Sequence, residues 1–80
     1  MKVEKAKEIM ESRHLDYLLA KTEAFIDYLS ARRQYYAVMA KALKTAGPAE
    51  AFRAAMYLNR TRMLRKQIRA ALRKLRSLRA

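Results

Sequence analysis

Glycine and proline occur once each in this 80-residue chain, side by side at Gly47 and Pro48. Residues 2–44 contain neither and are rich in Ala, Leu, Lys, Glu and Met, all good helix formers. Gly47 is placed to end a helix in the left-handed conformation. Pro48, whose missing amide hydrogen is not needed in a first helical turn, is placed to open the next. Glu50 then meets the positive end of the second helix dipole. The expected organisation is one all-α domain over residues 1–80, with helix 1 over about 2–44, a turn at 45–47 and helix 2 over about 48–79.

The apolar pattern predicts how the two helices meet. In helix 2, Ala54, Tyr57, Thr61, Leu64, Ile68, Ala71, Leu75 and Leu78 recur at alternating spacings of three and four, which draws one stripe down a helix. A second strip, Phe52, Met56 and Met63 with Asn59 between, lies about a quarter-turn away. In helix 1 the stripe runs through Val3, Met10, Leu18, Phe25, Leu29, Tyr36, Met39 and Leu43, edged by Leu15, Thr22, Ile26 and Ala40. A continuous helix 1 would be about 64 Å long. The competing expectation is a break near Ser30, a residue that caps helices, with Arg32 falling on the apolar seam. Folding back at Gly47 gives a long antiparallel hairpin in which the first turns of helix 1 overhang. Leu18, Phe25, Leu29, Tyr36, Leu43, Tyr57, Leu64, Ile68 and Leu75 are the expected packing residues, within the hairpin or between copies. So short a chain builds a thin core, so self-association into a four-helix bundle or coiled-coil assembly is expected.

Charge divides the chain unequally. Residues 1–30 hold five Lys/Arg and six Asp/Glu, whereas 31–80 hold fourteen Lys/Arg and only Glu50. Within the last third, Arg62, Lys66, Arg69, Arg73 and Arg76 recur at helical spacing, forming a cationic line opposite the apolar stripe. Five such residues span about 21 Å of helix axis. Arginine suits phosphate because its planar fork donates two hydrogen bonds to one anion. Arg65, Arg32 and Arg33 are secondary candidates for the same contact. Asp16, Glu23 and Asp27 lie where a hairpin would let them neutralise some of these cations.

Enzyme signatures are missing. With a single Gly there is no glycine-rich phosphate loop. There is no Cys nucleophile or thiolate metal site; no histidine lies near Ser30 or Ser77 in sequence, and His14, two residues after Ser12, falls on a different face of a helix. His14 is the one histidine and is expected partly buried rather than metal-bound, since a zinc site needs several such ligands. No metal or cofactor is expected. Tyr17, Tyr28 and Tyr35 flank the helix 1 stripe, where packing at a helix boundary is the first reading and stacking on bases beside Arg32 and Arg33 the second.

The absence of an apolar leader in MKVEKAKEIME points to a cytoplasmic or otherwise intracellular protein. The longest uncharged stretch, Gln34 to Ala40, is far short of the roughly 20 residues a membrane-crossing helix needs. The functional expectation is a non-enzymatic protein that binds DNA or RNA through phosphate contacts, with little sequence preference, coating or compacting it as an oligomer. The alternative is a structural or adaptor subunit whose basic side docks on an acidic protein. An anionic membrane surface is the weakest of the three partners, because the basic stretch has neither Trp nor Phe.

Overall fold

The computed structural model describes residues 2–80. Two helices, α1 (Val3–Thr45) and α2 (Ala51–Arg79), lie antiparallel, joined by a turn that contains a short 3-10 helix at Pro48–Glu50. The hairpin is a rod with extents of 69 × 16 × 12 Å. No break occurs at Ser30: α1 runs through it, and Ser30 is exposed. Helical propensity on both sides of Ser30 outweighs its capping tendency.

The turn differs in detail from the sequence expectation. Ala46, still right-handed, closes α1, its N–H donating to the carbonyls of Ala42 and Leu43 at 3.1 and 3.2 Å. Gly47 then adopts φ 122° and ψ 176°, which is extended backbone on the positive side of φ rather than a left-handed helical cap. Pro48 opens the 3-10 turn, and Glu50 donates its N–H to the Gly47 carbonyl at 3.2 Å. The Glu50 carboxylate accepts from Arg53 at 3.0 Å.

In α2 the half-buried and buried positions are the eight residues of the expected stripe, Ala54 to Leu78, and every other side chain of the helix is exposed. The facing seam of α1 is Leu19, Thr22, Ile26, Leu29, Arg33, Tyr36, Ala40 and Leu43, again at threes and fours. Leu29, at 2% exposure, is the most enclosed side chain. Tyr36 and Tyr57 tie the helices together with ring centroids 5.7 Å apart. Thr22 and Thr61 are buried without penalty because their hydroxyls donate back to the carbonyls of Leu18 and Tyr57 at 2.7 and 2.9 Å.

Three expectations for α1 are corrected. Phe25 is 52% exposed and stands outside the hairpin core, because the seam takes the row Thr22–Leu29–Tyr36 and its partner Leu19–Ile26–Arg33. Arg33, not Arg32, occupies a seam position; Arg32 is exposed. The expected overhang is present, and all side chains from Lys2 to Tyr17 are exposed. Val3 and Met10 therefore lie open at 86% and 63%. For the same reason His14 is exposed rather than half-buried, resting against Tyr17 with ring centroids 6.5 Å apart.

Candidate nucleic-acid interface

A seam at alternating threes and fours consumes two of every seven positions, and the remaining rows of α2 are fixed by that choice. Arg62, Lys66, Arg69, Arg73 and Arg76 fall on the rows farthest from α1. All five are exposed. Lys66, Arg69, Arg73 and Arg76 border a shallow depression of about 520 Å³ together with Leu72. Among the described residues the ion pairs are Arg53–Glu50 and Arg79–Glu23, and neither involves the cationic line. Of the carboxylates expected to neutralise arginines, Glu23 reaches Arg79 at the end of α2; Asp16 and Asp27 form no such pair.

The secondary residues separate. Arg65 is exposed on the flank of α2 shared with Leu58, Leu72 and Arg79. Arg33 is half-buried in the seam and poorly placed to meet an external anion. Arg32 stands on the opposite flank of the hairpin, in a cluster of its own.

That cluster is built around Tyr36. The Arg32 Nε–H donates to the Tyr36 hydroxyl at 3.2 Å, and among the described residues its guanidinium forms no ion pair. Arg32 lies 5.5 Å from the centre of the Tyr36 ring, and Arg60, from the other helix, lies 5.7 Å from the same ring and 5.3 Å from that of Tyr57. Tyr35 packs against Tyr36 at 5.7 Å. The Tyr36 hydroxyl, then the Tyr28 hydroxyl, push the Arg32 guanidinium above its ordinary value. Arg32, Tyr36, Arg60 and Gln67 border a depression of about 370 Å³. Cation–π contact holds each arginine against an aromatic face without neutralising it.

Arg60 was not among the sequence candidates. Its signal lay in register: once Tyr36 meets Tyr57, one helical turn farther from the hairpin bend brings Arg32 and Arg60 to the same flank.

Among the described residues no group of three or more His, Cys, Asp or Glu is placed to hold a metal ion, and no helix is long and apolar enough to cross a membrane. No protein-family model, curated protein or solved structure matches this chain.

Proposed function

We propose that the chain is a non-enzymatic nucleic-acid-binding protein that grips the phosphate backbone, with little sequence preference, through the outer face of α2. The observation that carries this reading is that Arg62, Lys66, Arg69, Arg73 and Arg76 form no ion pair among the described residues and are all exposed on the side away from α1. A rigid helix holds them in one line about 21 Å long. Duplex DNA presents a negative charge per roughly 1.7 Å of axis, so phosphates outnumber the cations that meet them. Such contacts fix position and carry no base information.

Self-association belongs to the same reading. On α1, the row opposite the seam is Val3, Met10, Tyr17, Ala24, Ala31 and Val38, all exposed and none charged. Pairing two copies along this row covers the apolar overhang and sends the two α2 helices to opposite outer sides. Each basic face stays free, and one dimer can bridge two stretches of nucleic acid.

Titration of the protein against unrelated duplexes at several salt concentrations tests the proposal. The logarithm of affinity should fall against the logarithm of salt with a slope of about −4 to −5, as expected for five phosphate contacts on duplex DNA. Absence of binding at low salt refutes it. Binding to an acidic protein surface without binding to nucleic acid would instead favour an adaptor.

A further inference from the structure

Resting on that reading, but using different residues, we infer that the flank of the hairpin carrying Phe25, Arg32, Arg60 and Gln67 is a binding site for single-stranded nucleic acid. Two depressions adjoin there and share Gln67. One, of about 590 Å³, has an apolar floor from Leu18, Ala70 and Ala71, with the half-exposed Phe25 beside it and Lys21 and Lys74 at its border. The other, of about 370 Å³, holds the Arg32–Tyr36–Arg60 cluster. No carboxylate lines either one. The acidic residue that α1 does pair across the hairpin, Glu23, meets Arg79, so it leaves this flank's cations without a counter-charge.

The order of chemistries along this groove fits a nucleotide chain. Lys21 and Lys74 offer one cationic position and Arg32 with Arg60 another, and between them lie an aromatic ring and a side-chain amide. Phe25 gives a base a flat apolar surface on which to stack, and the Gln67 amide both donates and accepts beside it. The Arg32 guanidinium, in no ion pair among the described residues, suits a phosphate, and the Tyr36 hydroxyl bond holds it in place before the ligand arrives. Exposed Tyr28 and Tyr35 extend the stacking surface on the same side of α1. An acidic peptide would satisfy the cations but leave the rings unused. A duplex keeps its bases stacked internally and leaves the same rings unused.

Affinities for a labelled oligothymidine of about 20 nucleotides and for a duplex of the same length, measured by fluorescence anisotropy in about 100 mM salt, separate the two surfaces. Phe25→Ala and the double variant Arg32→Gln/Arg60→Gln should each weaken single-strand binding about tenfold and leave duplex binding within about twofold. Because the chain has no tryptophan, Phe25→Trp creates a lone reporter at an exposed position. It should retain single-strand affinity, and its emission should be quenched by the oligothymidine but not by the duplex. Equal losses for both ligands, unchanged single-strand affinity, or an unquenched Trp would overturn the inference while leaving the α2 face intact if duplex binding persists. Loss of single-strand binding in the groove variants of a protein that ignores duplexes would do the reverse, supporting the groove and removing the α2 face.

Discussion

Gly47 sits at φ 122° and ψ 176° with no atom within 4 Å of where a β-carbon would stand, so any cost of substitution there is backbone strain and not collision. Positive φ with extended ψ is a region that glycine alone occupies readily, and forcing another residue into it costs about 1–3 kcal/mol. Gly47→Ala should therefore lower the thermal midpoint by several degrees at fixed protein concentration, read by circular dichroism. Asparagine supplies the sharper test. At a left-handed helical cap Asn is tolerated nearly as well as Gly, whereas at this ψ it has no such advantage. Gly47→Asn should cost as much as Gly47→Ala. A clear rescue by Asn would mean that the turn is a left-handed cap after all. Arg33 presents the opposite case, a charge half-buried in the seam with no carboxylate paired to it. Arg33→Leu continues the apolar row between Ile26 and Ala40 and should stabilise by about 1 kcal/mol. In a domain this size that raises the midpoint by about 4–8 °C.

At the scale of the helix, α2 combines a seam that wants α1 with a line of like charges that repel one another. Neighbours three or four apart along Arg62, Lys66, Arg69, Arg73 and Arg76 each oppose the helix by roughly 0.2–0.5 kcal/mol at low salt. Replacing all five by Gln should abolish duplex binding yet raise the thermal midpoint of the free protein, with the gain shrinking as salt is added. A fall in stability would instead make those side chains part of the packing. This helix was readable from sequence because its buried row is unbroken from Ala54 to Leu78 and most of the cations of its second half lie on the rows away from it. The α1 seam was harder to read for a physical reason. Thr22 and Arg33 occupy buried or half-buried positions, while Phe25, Tyr17 and Val38 are exposed, so apolarity alone does not distinguish the inward side. Composition likewise could not reveal the Arg32–Tyr36–Arg60 cluster. It exists only once the turn at Gly47 has set which residue of α1 lies beside which residue of α2.

Over the whole molecule, a rod of two helices has one interface and leaves the remaining sides of both helices in water. Eight side chains are buried among the described residues, several of them Ala or Thr, which is few for a chain of this length. The row Val3, Met10, Tyr17, Ala24, Ala31 and Val38 is uncharged along nearly the full length of α1, and a second copy laid antiparallel would bury it from end to end. This placement also has an electrostatic consequence: the α2 helices, each carrying most of the positive charge, end up separated by both copies of α1. Pairing through α2 would bring like charges together and is disfavoured except at high salt. Wild-type protein should therefore sediment at twice the chain mass in low salt, and Val38→Glu, placed at an exposed site distant from the hairpin seam, should return it to one chain mass without loss of helicity. Duplex affinity per chain should then fall only by the contribution of avidity, because the cationic line of each copy is complete within itself. If Val38→Glu leaves the mass unchanged while a substitution such as Phe52→Glu near the turn halves it, the copies meet through the turn end of α2, and the uncharged back of α1 plays no part in assembly.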